Sequence, residues 1–292
     1  MTLRQKKAVG LALLAALLYA IHSPLSKLLL ADVSPTMMAS FLYLGAGFGL
    51  FGVGLVRRLS GRKTKEQPIT AKELPYTVAM ILLDIAAPVF LMIGLTKTTA
   101  ANASLLNNFE IVATSVIAWV VFREVISLRL WLAIALVTLS SAILSFEDVS
   151  SFSFSYGSLF VLLACVCWGF ENNCTRKLSS KDPLEIVVIK GFGSGIGALG
   201  LAFAVGEQLP SPGYILCALV LGFVAYGLSI YCYIYAQRDL GAAKTSTYYA
   251  VAPFVGAALS FLLFWNLPTL SFLVAATIMA LGTYLATVDT AG

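Results

Sequence analysis

The side chains with the greatest potential for chemistry lie within stretches that are otherwise apolar. They are His22, Asp84, Glu110, Glu171 and Lys190. An ionisable group at the centre of a bilayer costs about 2.5–3.5 kcal/mol on insertion scales, so it is retained where it faces a cavity or a partner. Such groups can bind protons, bind the charged parts of a solute, or pair with one another.

Depth within the apolar stretches separates the carboxyl groups into two sets. Asp84 and Glu110 each lie about ten residues from an end of their stretch, which places them near the membrane midplane at the rise of an α-helix. We expect them to be functional; a protonated carboxyl bonded to a backbone carbonyl or to Asn107 is the structural alternative. Glu171 and Lys190 lie at similar depth nearer one interface, which predicts a salt bridge between them.

Histidine and aromatic side chains form a second group of candidates. His22 is the only histidine, and because the unperturbed pKa of an imidazole is about 6.5, it is the candidate proton-responsive group if transport is coupled to protons; a neutral imidazole bonded across helices is the structural alternative. Rings with a polar edge can line a cavity for an organic solute, although Tyr and Trp also form belts at the interfaces. The aromatic candidates are Tyr19, Trp168, Tyr226, Tyr231, Tyr233, Tyr235, Tyr248 and Tyr249. Trp168, Tyr248 and Tyr249 lie away from the interfaces and are the first choices.

Three prolines fall inside predicted membrane helices. Pro24, Pro88 and Pro253 each remove a backbone hydrogen bond and free the carbonyl four residues earlier. This predicts helix breaks that line a cavity or work as gates, with a static kink as the structural alternative.

The chain lacks the residue sets of intramembrane enzymes and metal sites. It has one histidine, neither a His-Glu-x-x-His nor a Gly-x-Ser-x-Gly motif, and five cysteines without a Cys-x-x-Cys pair. We therefore predict no catalytic residue, no metal and no cofactor.

Ten apolar stretches account for most of the chain, which is 59% hydrophobic and only 11% charged, with a mean hydropathy of +0.90. Each is close to the roughly 20 residues that cross a bilayer as a helix. They span 8–31, 35–57, 74–97, 99–122, 128–146, 154–178, 183–206, 211–236, 241–264 and 268–288. The sequence therefore predicts an all-α polytopic membrane protein.

Basic residues alternate between the predicted loops. Most of the 19 Lys and Arg residues fall within 4–7, 57–72, 123–129, 176–181 and 238–244. The positive-inside rule assigns these segments to the cytoplasm, and both termini with them. We expect a multi-pass protein of a bacterial inner membrane.

The second half of the sequence repeats the first. Residues 19–28 align with 168–177, and 100–122 align with 242–264, at spacings of 149 and 142 residues. Because five crossings return the chain on the opposite side, two five-helix repeats must be inverted relative to each other. We place the first repeat at 1–148 and the second at 149–292, around a central cavity.

Glycines recur in both repeats and formally match the dinucleotide-binding fingerprint at 47–52 and 195–200. Neither run follows a predicted strand, so a phosphate-binding turn is not expected. Gly45 with Gly49, and Gly191 with Gly195, instead predict seams where helices approach closely.

This arrangement resembles the drug/metabolite transporter superfamily, of the type built from two EamA-like repeats. The resemblance covers nearly the whole chain and rests on Ala-Ala-x-x-Ser at 100–104 and 242–246, on Pro253 and on Glu124. The sequence departs from the family pattern at Ile111, Arg123 and 265–266. The resemblance implies a basket of ten helices around a cavity lined by the first, third, fourth, sixth, eighth and ninth. The aromatic residues and short loops look like the amino-acid exporter branch, including exporters of aromatic amino acids.

The sequence thus predicts a carrier that exports small metabolites, above all amino acids, by alternating access, and that works as a monomer. A channel-like facilitator is the alternative, although no filter motif is present. The candidate substrate-binding residues are Tyr19, His22, Asp84, Asn107, Glu110, Trp168, Glu171, Tyr248 and Tyr249, and the candidate gating residues are Pro24, Pro88 and Pro253.

Overall fold

The structure is a computed structural model that describes residues 3–60, 67–123, 125–148, 153–178, 181–240, 245 and 248–289. Almost all of the described chain is helical. The helices are α1 (Leu3–Ala20), α2 (His22–Leu29), α3 (Pro35–Leu59), α4 (Leu74–Lys97), α5 (Ala100–Leu106), α6 (Phe109–Phe122), α7 (Leu128–Ser145), α8 (Tyr156–Leu178), α9 (Pro183–Ala204), α10 (Pro212–Gly222), α11 (Ser229–Leu240), α12 (Ala252–Phe264) and α13 (Leu270–Asp289). A short hairpin of β1 (Phe146–Asp148) and β2 (Ser153–Phe154) connects α7 to α8.

The helices confirm the predicted fold class. Nine helical segments of the described chain are long and apolar enough to cross a bilayer, and α12 is a shorter apolar helix. They correspond to the ten predicted stretches. The start of the ninth stretch, 241–264, lies partly outside the described residues, and Glu124 lies outside them. The most extensive helix packing is between α4 and α8, between α3 and α9, between α7 and α13, and between α1 and α11. The protein is an all-α polytopic membrane protein.

Several membrane helices are interrupted near their middle. The first is broken at Ile21 between α1 and α2, and the fourth at 107–108 between α5 and α6. A turn at 250–251 precedes α12, and a π-helical segment, Phe223–Leu228, joins α10 to α11. Interruptions of this kind place backbone groups inside a helix bundle, where neighbouring helices must satisfy them.

The prolines relate to these breaks in two ways. Pro24 and Pro253 lie in the first turns of α2 and α12, where the missing N–H leaves no bond unmade. The structure differs from the sequence prediction at Pro88, because α4 continues as a helix through this residue. Pro88 therefore breaks no helix here, although its ring nitrogen cannot bond to the carbonyl of Asp84, four residues earlier.

The ends of α6 and α12 share an unusual backbone conformation. Arg123 and Trp265, which are equivalent in the repeat, have positive φ values of 56° and 54° at the carboxyl ends of these helices. Glycine is the usual residue in this left-handed conformation at a helix end. Two non-glycine residues thus occupy the same strained position in the two copies of the repeat.

The loops on the basic side of the bundle contact one another. Arg4 pairs with Asp239 at 2.6 Å, and the backbone N–H of Asp182 donates to the carbonyl of Gln67 at 2.9 Å. The first contact joins the amino terminus to the end of α11, and the second joins the 57–73 loop to the 178–183 loop. We call this side the basic end of the bundle.

The remaining loops meet at the opposite end. The carboxylate of Glu207 accepts hydrogen bonds from the backbone N–H groups of Thr36 and Met37, at 3.1 and 2.8 Å. Lys27 donates to the carbonyls of Leu95 and Thr98 at the carboxyl end of α4. The contacts sort the loops into the same two sets as the distribution of basic residues.

Small residues allow α3 and α9 to touch through their backbones. A Cβ atom added to Gly191 would lie only 2.5 Å from the Cα of Gly47, and one added to Gly195 would lie 2.8 Å from the backbone nitrogen of Leu44. Gly45 faces the backbone of Leu219 on α10 in the same way. Both glycine runs lie within helices, α3 and α9, so their role is in packing.

Candidate functional site

A buried group of three charged side chains joins α4, α8 and α9. The ammonium nitrogen of Lys190 lies 3.1 Å from Oδ2 of Asp84 and 2.9 Å from Oε1 of Glu171. The side chains of Asp84, Glu171 and Lys190 are 0%, 3% and 12% exposed. Thr175, one turn further along α8, also donates to Oε1 of Glu171. We call these three charged residues the triad.

The triad is continued by side chains from neighbouring helices. The hydroxyl of Tyr43, on α3, donates to Oδ1 of Asp84 at 2.8 Å, and Trp168 lies beside the same hydroxyl. Oδ2 of Asp84 is buried and accepts no hydrogen bond, since its contact with Lys190 has the distance of an ion pair but not hydrogen-bond alignment. Among the described residues, this carboxylate oxygen is thus held by the charge of Lys190 and by no aligned hydrogen bond.

Glu110 lies on α6 and contacts a side chain of the second half of the chain. The side-chain amide of Asn172, on α8, donates to Oε1 of Glu110 at 2.6 Å and approaches the hydroxyl of Thr114 at 3.3 Å. Asn107, named in the structural alternative for Glu110, lies at the break between α5 and α6. Its buried Oδ1 has no hydrogen-bond partner among the described atoms.

Aromatic rings and the histidine fill the space beside the triad. Nε2 of His22 lies 2.9 Å from the hydroxyl of Tyr226, which belongs to the π-helical segment. Tyr19 stacks on His22 and meets Tyr249, with ring centroids 5.8 and 5.7 Å apart. The ring of Tyr226 also lies 5.3 Å from that of Tyr43, which connects the aromatic cluster to the triad.

The centre is largely closed to solvent in this structure, and Tyr19, Glu110 and Tyr249 are half-buried. His22 and Asp84 are fully buried, and Trp168 and Tyr226 are 6% and 3% exposed. Interruptions of the helices surround this closed region, because His22 follows the break at Ile21 and Tyr226 lies within the π-helical segment. A solute could reach these side chains only after the helices around them move.

A separate cavity of about 740 Å³ lies at the opposite end of the bundle. It is bounded by the ends of α2, α4, α7, α12 and α13 and by α5. None of the predicted site residues lines it. Its polar wall includes Lys27, Lys97, Asn102, Ser155, Asn266 and Thr269. The cavity has the volume of a small-molecule site and lies above the closed centre.

The structure brings together most of the predicted site residues. The salt bridge predicted between Glu171 and Lys190 is present, and Asp84 is its third member. Tyr19, His22 and Tyr249 meet in the aromatic cluster, with Trp168 next to it. Asn107 and Tyr248 take no part in the contacts described for this cluster.

Sequence reasoning missed two residues of the site. Tyr43 was overlooked because it lies in a glycine-rich stretch that indicated only close packing. Asn172 follows Glu171 directly in the repeat-aligned segment, and this position beside a predicted site residue was the available signal.

Comparisons with known proteins agree with this architecture. The profile of the EamA-like transporter family matches residues 6–146 and 155–288. An uncharacterized transporter of Methanothermobacter thermautotrophicus is 24% identical over 266 residues, which cover 85% of this chain and 77% of that protein. A solved crystal structure superimposes with a TM-score of 0.68 at 16% identity, covering 97% of this chain and 96% of the other, and this likeness concerns the fold alone. The chain belongs to the EamA-like transporter family and is a multi-pass membrane transporter.

Proposed function

We propose that the protein exports small amphiphilic metabolites, above all aromatic and neutral amino acids, by alternating access between residues 1–148 and residues 149–292. The two segments are proposed to form inverted five-helix repeats, as the odd number of crossings in each requires. The transporter function itself follows from the family, and the substrate class, direction and mechanism are the proposal.

The observation that supports this mechanism is the closed centre, whose contacts join the two segments. His22 belongs to the first segment and bonds to Tyr226 of the second. Asp84 belongs to the first and pairs with Lys190 of the second. Because these contacts run between the segments, moving one segment against the other must break them and expose the side chains. A permanently open pore would leave these side chains wet, which favours a carrier over a channel-like facilitator.

The chemistry of the central side chains suits an amino acid. The rings of Tyr19, Trp168 and Tyr249 offer surfaces against which an apolar or aromatic side chain can pack. A carboxylate such as Glu110 can bind an ammonium group, and Lys190 can bind a carboxylate. A zwitterion with an apolar side chain matches both sets of groups.

The cavity at the opposite end supports a path towards the outside. If the basic end faces the cytoplasm, as the positive-inside rule indicates, this cavity opens to the extracytoplasmic side. A volume of about 740 Å³ is ample for an amino acid leaving the centre. In the described conformation, the centre is then closed and the cavity at the opposite end is open to the outside.

Counterflow in proteoliposomes tests the proposed transport. Proteoliposomes that contain the purified protein are loaded with unlabelled tryptophan, phenylalanine, leucine or threonine and diluted into the same labelled amino acid. Exchange is measured for the wild type, Trp168→Ala and Trp131→Ala. Trp131 is 38% exposed on the outside of the bundle and provides a matched control. We expect saturable exchange that Trp168→Ala reduces at least tenfold and Trp131→Ala preserves. Flux that does not saturate would favour the facilitator, and no exchange of any of the four would refute the substrate class.

Site-directed labelling tests the orientation that we propose for the protein in a bacterial inner membrane, with both termini in the cytoplasm. Ser60 is exposed at the basic end and Ala31 is exposed at the opposite end. In a background without the native cysteines, Ser60→Cys is expected to react with a membrane-impermeant maleimide only after the membrane is opened, and Ala31→Cys before it. The reverse pattern would place both termini outside.

We also propose that one chain suffices for transport, since both halves of the site belong to it. Crosslinking, and transport activity measured at one protein per vesicle, test this.

A further inference from the structure

We propose that the triad is a proton-binding site, that Oδ2 of Asp84 holds the proton, and that binding the proton releases α4 from α9. Its use in driving transport rests on the proposed function above, whereas proton binding by the triad does not depend on it. The argument begins with the number of charges. One ammonium group, that of Lys190, contacts two carboxyl groups. With both carboxyls ionised, the buried site would hold an excess negative charge, which is costly away from water. One bound proton makes the site neutral.

Hydrogen bonding at the two carboxyl groups shows which oxygen is available for that proton. Oε1 of Glu171 contacts Lys190 at 2.9 Å and also accepts from Thr175, so two donors stabilise its ionised form. Oδ1 of Asp84 accepts from Tyr43. Oδ2 of Asp84 is fully buried and accepts no hydrogen bond. Oδ2 is therefore held in its ionised form by the charge of Lys190, 3.1 Å away, and by no aligned donor among the described residues, so a proton can compete with Lys190 for this oxygen.

The other groups around Asp84 do not replace Lys190 as a source of positive charge. The titratable and charged side chains that face it from the packed elements are Tyr43 on α3, Cys167 and Glu171 on α8, Lys190 on α9 and Tyr226 in the π-helical segment, with His22 on α2 bonded to Tyr226 and Glu110 on α6 beyond Glu171. Among these described residues, Lys190 is the one Lys or Arg.

The proton has a mechanical consequence, because the members of the triad belong to different segments. Asp84 lies on α4 of the first segment, whereas Glu171 and Lys190 lie on α8 and α9 of the second. When a proton binds to Oδ2, the carboxylate becomes a neutral acid and its attraction to Lys190 is lost. Lys190 remains an ammonium and keeps its bond to Glu171 within the second segment. Protonation thus removes one ion pair between the two segments and leaves the ion pair inside the second intact.

Infrared spectroscopy of the protein in lipid nanodiscs tests the proton site without any solute. The C=O stretch of a protonated carboxyl is followed as the pH is raised, in a Glu110→Gln background that removes the carboxyl of the centre that lies outside the triad. We expect a band that disappears on alkalinisation and that Asp84→Asn abolishes. Asp32→Asn, which changes an exposed carboxylate in the α2–α3 loop, serves as the control and preserves the band. A band retained in Asp84→Asn would overturn the assignment.

Two further variants keep the test decisive if Asp84→Asn fails to fold. Lys190→Gln leaves two carboxyls without a cation, so both should be protonated and the band should grow about twofold. Tyr43→Phe removes only the hydroxyl that stabilises the ionised carboxylate, so the band at a fixed pH should increase. If neither variant changes the band, Asp84 does not hold the proton.

The role of the proton in transport is measured as a ratio. In proteoliposomes, uptake of the exchanging amino acid driven by a pH gradient is divided by its counterflow without a gradient. We expect the wild type and Asp32→Asn to concentrate the solute and Asp84→Asn to reach equilibrium without concentrating it. A pH-driven accumulation that survives in Asp84→Asn refutes the coupling. Absence of counterflow in the wild type refutes the proposed substrate class, and the infrared result still decides proton binding.

Discussion

The contact between α3 and α9 gives a prediction whose size follows from one distance. Gly191→Ala adds a Cβ atom 2.5 Å from the Cα of Gly47, whereas non-bonded carbon atoms prefer about 3.5–4.0 Å. The obstacle is backbone, so the helices must separate by about 1 Å, and overpacking of this kind costs about 1–3 kcal/mol. Gly200→Ala, in the same helix, adds its Cβ atom in open space and gains about 0.5–1 kcal/mol from the lower flexibility of alanine.

The two substitutions are chemically identical, and their effects on stability should have opposite signs. We expect the temperature at which half the protein is lost from its native elution peak, measured by size-exclusion chromatography after heating in detergent, to fall in Gly191→Ala and to rise slightly in Gly200→Ala. The difference corresponds to about 1.5–4 kcal/mol. Equal shifts in the two variants would show that α3 and α9 do not touch through their backbones and would remove the seam from the fold.

Three other changes test contacts at the helix ends, each by the same heating assay. Arg123→Gly relieves a left-handed residue that costs about 1–2 kcal/mol, so it should stabilise the protein while Arg123→Ala does not; equal stability would mean the strain is absent. Glu207→Ala loses the hydrogen bonds to Thr36 and Met37 and should destabilise by about 1–3 kcal/mol, with Glu207→Gln between it and the wild type; the opposite order would contradict the contact. Lys27→Met removes the donor to the end of α4 and should cost about 1 kcal/mol or more, and an unchanged midpoint would contradict that role.

The membrane crossings could be predicted from the sequence because hydrophobic length is a local property. A run of roughly 20 apolar residues has few alternatives to a helix in lipid. The interruptions were only partly predictable. Pro24 and Pro253 mark helix starts, whereas the break at 107–108 has no proline, since Ile111 occupies the position where the family often has one. The break at 107–108 instead contains two buried asparagines, and their effect on the helix depends on tertiary packing that the sequence does not specify.

In the site, too, contacts between neighbouring helices could be predicted from the sequence, whereas contacts that depend on tertiary packing could not. The pairing of Glu171 with Lys190 could be inferred from depth, because both residues lie near the loop that joins α8 to α9. The approach of Asp84 to Lys190 depends on how α4 packs against helices of the other segment, and no spacing along the chain encodes that distance. Tyr43 reaches Asp84 from a third helix for the same reason.

The polar contacts of the centre explain how it can be both ordered and able to open. Three of them join a residue before 148 to one after 149. They are His22 with Tyr226, Asp84 with Lys190, and Glu110 with Asn172. A hydrogen bond between membrane helices contributes about 0.6 kcal/mol on average and seldom more than about 1.7, so the two hydrogen bonds and the ion pair together add a few kcal/mol to the stability of the closed state. A solute that replaced all three partners would supply a free energy of the same size, whereas a proton that cancelled one of them would supply about a third of it. Stronger contacts between the two segments would keep the centre closed. Apolar contacts would give a polar solute no hydrogen-bond partners to replace the water molecules that it loses.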